Sequence, residues 1–230
     1  MYASLHQTAR TRNSAPAGAN EKSDGSLSRL DDFGIVVTLK RDEVLFYEGD
    51  RAGCYYKVVT GAIRSCKLLA DGRRHIGDFF LPGDFIGLNA LETHGFTAEA
   101  VADASLVRYE RRDVEALIQR DPRIGKSLLG RLCSDLSEAQ ARMLLLGRMT
   151  AQERLASFLL RMAARGAGCS TNLVALPMTR TDIGDYLGLT TETVCRTLAQ
   201  LKHSGLIAAP SPHEVRVLRR EALSEMAEGA

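Results

Sequence analysis

From Gly34 to about Leu106 the chain is cut by glycines at 49, 53, 61, 72, 77, 83 and 87. Between them lie short runs of β-branched and aromatic residues: Ile35–Leu39, Val44–Tyr47, Tyr55–Val59, Ala62–Leu69, Gly77–Leu81 and Ser105–Tyr109. Many short strands at regular spacing with glycine turns specify an antiparallel barrel or roll. Asp71-Gly72, between two such runs, is a hairpin signal, because both residue types tolerate the positive φ of a tight two-residue turn.

After Tyr109 the pattern becomes helical. Asp121-Pro122 predicts a helix start with proline in the first turn, where its missing N–H costs nothing. Leu129, Leu132, Leu136, Ala139, Met143 and Leu146 then recur at spacings of 3, 4, 3, 4 and 3. That is an a/d stripe over about two and a half heptads, narrow enough to suit a two-helix seam in a homodimer. The alternative is a helix packed on its own domain. Lys126, Arg131, Asp135, Glu138 and Arg142 flank the stripe and are expected to stay solvated.

A second helical unit begins near Thr150: a helix over Gln152–Arg165, a stop at Gly166-Ala167-Gly168, a short strand at Leu173–Leu176, two helices, and two short strands around Pro210-Ser211-Pro212. The fold class expected is α+β, with four parts. Residues 1–30, rich in Ala, Ser, Asn and Gly, form a flexible tail. Residues 31–120 form the roll, 121–149 a dimerisation helix and 150–230 a compact helical unit.

Composition excludes more than it reveals. Of the 230 residues, 45% are hydrophobic and 25% charged, which is ordinary for a globular protein. The 30 basic and 28 acidic residues leave a formal net charge of +2, so bulk charge does not announce a nucleic-acid partner. Residues 151–230 hold 9 basic against 8 acidic residues, so affinity for DNA has to come from a few placed charges. The five cysteines, at 54, 66, 133, 169 and 195, are odd in number and form no CxxC pair, a poor disulfide framework and a poor metal site. No apolar run approaches the ~18–20 residues of a membrane span, and no apolar leader segment is visible, so the cytoplasm is the expected location.

The most informative stretch is Thr179 to Gly205, TRTDIGDYLGLTTETVCRTLAQLKHSG. Thr179 can cap a first helix running to Leu187, with Asp182 three residues on in a capping-box position. Gly188-Leu189-Thr190 is a tight turn and a second helix starts at Thr191. Two short helices joined by a glycine-containing turn describe a helix-turn-helix. With Glu192 at zero and about 100° per residue, Arg196 falls at about 40° and Cys195 at about −60°, whereas Val194, Leu201 and Leu198 fall between about 180° and 240°. One face is therefore core. The other carries Glu192, Cys195 and Arg196 at the N-terminal end, where a recognition helix meets base edges. Arginine can donate two hydrogen bonds to guanine and glutamate can accept from the cytosine amino group. The alternative for Glu192 and Arg196 is a surface pair one helical turn apart, worth about 0.2–0.5 kcal/mol.

At this point the chain resembles the CRP/FNR superfamily of bacterial transcription regulators, over residues 34–220. The resemblance rests on VLFYEGD at 44–50, YYKVVTGAIR at 55–64, LPGDFIGL at 81–88 and TRTDIGDYLGLTTETVCR at 179–196. The last two are close to the FNR/FixK branch. It implies a cyclic-nucleotide-type β-roll, a long dimerisation helix and a C-terminal winged helix-turn-helix. It implies that Glu192 and Arg196 read TTGA-type half-sites of an inverted repeat. Thr179, Arg180, Thr190 and Thr193 match positions that hold backbone phosphates, contacts that set register rather than sequence preference. Cys195 stands where that branch has serine. Double-stranded DNA, a second copy of the chain and RNA polymerase are the partners implied, in oxygen-limitation circuits.

The same resemblance limits what the roll can bind. A cyclic-nucleotide pocket in this family needs an arginine for the phosphate, and no arginine occurs between Arg74 and Arg108. An FNR-type iron–sulfur cluster needs closely spaced N-terminal cysteines, and residues 1–53 contain none. Haem needs an axial ligand, and His75 and His94 read as ordinary solvated histidines in loops. No cofactor is expected; the alternative is a regulator gated by an unrecognised ligand or haem in the roll. Cys195, at a helix N-terminus and beside Arg196, is also a candidate redox site, because both neighbours favour the thiolate. An enzyme built on Cys195 and His203 is disfavoured, since eight residues of helix separate them by about 12 Å.

Overall fold

A computed structural model describes residues 27–30, 33–90, 92–165 and 172–229. The roll contains β1 (Ile35–Leu39), β2 (Val44–Phe46), β3 (Cys54–Leu68), β4 (Arg74–Phe80), β5 (Phe85–Ile86) and β6 (Thr97–Glu110). All pairings are antiparallel, in the order β1-β6-β3-β4, with β2 also on β6 and β5 also on β3. The runs Tyr55–Val59 and Ala62–Leu69 are one bent strand. The register of β3 on β6 shifts between Val58 and Ile63, and Gly61 takes a φ of 80° there. A Cβ at Gly61 would lie 2.3 Å from the Asp103 carbonyl oxygen. Glycine thus lets the ladder continue through the bulge where a side chain would break it. The hairpin at Asp71-Gly72 joins β3 to β4, closed by the Leu69 and Gly72 amides.

After β6 come α1 (Arg111–Arg120) and α2 (Pro122–Arg148), the latter starting with proline as the sequence predicts. The C-terminal unit contains α3 (Ala151–Arg165), β7 (Leu173–Ala175), α4 (Arg180–Leu187), α5 (Thr191–His203), β8 (Ile207–Ser211), β9 (Glu214–Val217) and α6 (Arg220–Glu228). The strands form a sheet in the order β7-β9-β8. Helix α6, not anticipated from the sequence, packs on α3 through the fully buried Leu223. No helix among the described residues is long and apolar enough to cross a membrane.

The roll interior is filled by Val58, Ile63, Ile86, Ala98, Ala100 and Leu106, with Phe46 and Tyr56 against them. A second cluster, Phe85, Tyr109, Val114, Ile124 and Leu128, seats α1 and the start of α2 on the roll. A third runs from the roll into the C-terminal unit: Phe79 of β4 lies 5.4 Å from the Tyr186 ring of α4 and 6.4 Å from Phe158 of α3.

Four expectations are corrected here. Leu27–Leu30 forms a 3-10 turn and Leu30 is buried beside Phe85 and Tyr109, so apolar burial orders the end of the segment read as tail; residues 1–26 lie outside the described residues, as do Gly166–Gly168 and Cys169. His75 is in strand β4, opposite Lys67. His94 is buried, not solvated: its ring stacks on Phe46 at 3.5 Å, and its backbone joins Gly49 and Asp50. Burial pushes its imidazole below the ordinary histidine value. Arg131 does not stand free in solvent: it bonds Asp84 of the roll and Asp135 one turn on.

Candidate DNA-binding interface

Helix α4 begins where a side chain can replace the missing backbone partners. The Thr179 hydroxyl accepts the Asp182 amide at 3.1 Å, and the Asp182 carboxylate accepts the Thr179 amide at 3.0 Å and its hydroxyl at 2.8 Å. This is the reciprocal capping box read from the sequence. The helix ends at Gly188 in the left-handed conformation, φ 65°. Thr190 caps α5 by accepting the Thr193 amide at 3.1 Å, and the two hydroxyls lie 2.9 Å apart.

Two further features hold the helices together. A Cβ at Gly184 would lie 2.6 Å from the Leu189 carbonyl oxygen, so glycine is what permits the turn to fold back onto α4. The Thr191 hydroxyl donates to Thr181 at 3.2 Å, joining the first turns of α4 and α5. Neither Gly184 nor Thr181 stands out in the sequence, although a glycine inside a helical pattern is a known sign of close backbone approach.

The faces of α5 fall as the angular arithmetic requires. Val194, Leu198 and Leu201 are buried, joined by Thr197. Glu192, Cys195 and Arg196 are exposed together on the outer face. The Glu192 and Arg196 side chains are 87% and 62% exposed and 3.9 Å apart. That separation is too long for a committed hydrogen-bonded pair, so both remain available to a ligand. The phosphate candidates divide: Thr190 is exposed, whereas Thr179, Arg180 and Thr193 are half-buried. The Arg180 Nη1 is buried without a hydrogen-bond partner. Burial holds that guanidinium below the ordinary arginine value, and Cys195 acts in the opposite direction. Arg180 and Cys195 are thus close enough to interact electrostatically, a relation that sequence distance hides.

Helix α2 is divided between two faces in the same way. Ile124 and Leu128 turn into the roll, while Leu129 and Leu136 are each 60% exposed and Met143 is 75% exposed. Leu132 and Ala139 are half-buried; Leu146 is helical, and its side chain lies outside the description. Among the described residues, this row of exposed large apolar side chains at heptad spacing has no partner within one chain.

Two family models match the chain: a cyclic nucleotide-binding domain over residues 36–121 and a Crp-like helix-turn-helix domain over residues 153–226. The chain is 42% identical over 197 residues to the nitrogen fixation regulation protein FixK of Azorhizobium caulinodans, covering 84% of this chain and 79% of that one. It is 33% identical over 197 residues to the transcriptional activator protein FnrL of Cereibacter sphaeroides, covering 83% of this chain and 79% of that one. The structure of FixK2 from Bradyrhizobium japonicum matches with a TM-score of 0.79 at 42% identity, over 84% of this chain and 96% of that one. With its β-roll, long helix and helix-turn-helix in that order, the chain belongs to the CRP/FNR family of DNA-binding transcription regulators, in its FixK-like branch.

Proposed function

We propose that the chain is a transcriptional activator that binds, as a homodimer, an inverted repeat of TTGA-type half-sites. The observation that carries this reading is the shared exposed face of Glu192, Cys195 and Arg196 at the capped start of α5. In this reading Arg196 donates to guanine, Glu192 accepts from cytosine, and Thr179, Arg180, Thr190 and Thr193 hold phosphates. The first turns of α4 and α5, joined by the Thr191–Thr181 hydrogen bond, support the phosphate contacts, because a helix N-terminus favours an anion. Residues 121–149 supply the seam through Leu129, Leu132, Leu136, Ala139, Met143 and Leu146. Residues 31–120 act as a sensor-like roll that operates without cAMP or an iron–sulfur cluster. Residues 150–230 are the reading unit. The name carried by FnrL supports activation, with RNA polymerase as the further partner.

Redox control at Cys195 is part of the proposal. Cys195 is an exposed thiol, in contrast to Cys66, which burial pushes up to about 11. Oxidation of the Cys195 thiol to a sulfinate would place negative charge against the DNA phosphates.

DNase footprinting on a duplex carrying a TTGA inverted repeat tests the reading. Symmetric protection of both half-sites is expected. Protection of one half-site alone at every protein concentration, or of none, would overturn it.

A further inference from the structure

Helices α2 and α3 are joined by two residues only, Met149 and Thr150, so the reading unit can swing at that joint unless something else holds it. Two sets of charges do. On one side, Asp84 of the β4–β5 turn takes both Arg131 of α2 and Arg165 of α3, and Asp78 takes Arg161 of α3 at 2.8 Å. On the other side, β3 and β4 reach the helix-turn-helix itself. The Asp182 Oδ1 accepts from Arg64 Nη1 at 3.2 Å and from Arg74 Nη2 at 2.6 Å. Arg74 Nε also donates to Asp185 Oδ2 at 2.9 Å. Arg64 is in turn held by Glu99 at 2.7 Å and Asp42 at 3.2 Å.

Asp182 does two jobs with two oxygens. Oδ2 closes the capping box on Thr179, and Oδ1 is tied to the roll. Its side chain is 2% exposed and that of Arg64 9%, whereas Arg74 and Asp185 sit at the rim at 31% and 26%. Arginine pairs shielded in this way fix direction as well as distance.

We propose that Arg64 and Arg74 are positioning residues for DNA recognition. By holding Asp182 and Asp185 they set the angle between the recognition helix and the dimer helix, and so the spacer between half-sites that a dimer accepts. This rests on the reading of a dimer on an inverted repeat. Half-sites lie about one helical turn apart, so each inserted base pair shifts the second half-site by about 3.4 Å and turns it by about 34°. A rigidly held pair of heads rejects that change, and a loosened pair follows it.

The test measures affinity by fluorescence anisotropy for a duplex series whose spacer is lengthened or shortened by one and two base pairs. A single half-site duplex is the control. Wild-type protein is expected to lose about tenfold in affinity for each single-pair change, a 1.4 kcal/mol discrimination. Arg74→Gln should reduce that ratio to roughly threefold or less with half-site affinity unchanged, and Arg74→Lys should recover part of it. Asp185→Asn, at the rim, should act in the same direction and decides the matter if Arg74→Gln does not fold. If folded Arg74→Gln or Asp185→Asn keeps the wild-type ratio, the positioning role is wrong while the dimer reading stands. If wild-type protein shows no spacer preference yet binds the full site more tightly than the single half-site, its heads are not held and this proposal is wrong; if it binds full site and half-site alike, the dimer reading falls and takes this proposal with it.

Discussion

Leu136 sits at the centre of the stripe on α2, 60% exposed within one chain. Full burial of a leucine is worth about 1.5–3 kcal/mol, so covering the exposed share against a second helix is worth about 1–2 kcal/mol. A symmetric seam contains the residue twice, giving about 2–4 kcal/mol of dimer stability. Leu136→Ala should therefore raise the dimer dissociation constant by roughly thirtyfold to several hundredfold. Leu136→Asp adds two carboxylates that a closed seam would strip of water, at several kcal/mol each, so that variant should be monomeric at micromolar concentration. The fold should survive, because an exposed side chain leaves no cavity when it is lost; far-UV circular dichroism checks this. Ser134→Asp, exposed on the far side of the same helix, is the control and should leave the dimer intact. Sedimentation equilibrium gives the constants. A Leu136→Asp protein with a wild-type dimer constant would refute the seam.

Two further predictions concern single side chains. In a Cys133→Ser background, which removes the exposed thiol of α2, peroxide should abolish DNA binding, and adding Cys195→Ser should protect it; equal loss in both proteins would end the redox reading. For His94, burial places the folded pKa below the ordinary value of 6.5. The unfolded chain then takes up a proton that the folded chain refuses, so this contribution to stability is whole above pH 6.5 and is lost as pH falls below it. Thermal melts between pH 7.5 and 5 should show that loss, and His94→Gln should flatten it even though the Phe46 stack weakens. An unchanged slope would place the pH dependence elsewhere.

What could be read from the residues is what depends on near neighbours. The capping box of Thr179 and Asp182, the turn at Gly188 and the two faces of α5 are all settled within about one helical turn, and each is where the spacing puts it. The exposed row on α2 follows from the same kind of periodicity. Pairings between distant segments escaped. The segments before and after Gly61 look like two strands because a glycine normally marks a turn, and only the ladder to β6 makes them one. His94 looks like a loop histidine until Phe46, 48 residues earlier, is brought onto its ring. Arg64 and Arg74 meet Asp182 across separations of 118 and 108 residues. No local pattern announces a charge partner that far away, and the same is true of Arg180 and Cys195.

Base reading by Arg196 is the central claim, and a protein–DNA double-mutant cycle tests it most directly. The guanine of each TTGA half-site is replaced by 7-deazaguanine, which lacks the N7 acceptor, and affinity is measured for wild-type and Arg196→Ala protein. Arg196→Ala should cost about 1–3 kcal/mol on the natural site. The wild-type protein should lose affinity for the deaza site, and the Arg196→Ala protein should bind both sites alike. Additive losses, with the variant as sensitive to the missing N7 as the wild type, would contradict the assignment of Arg196 to that guanine.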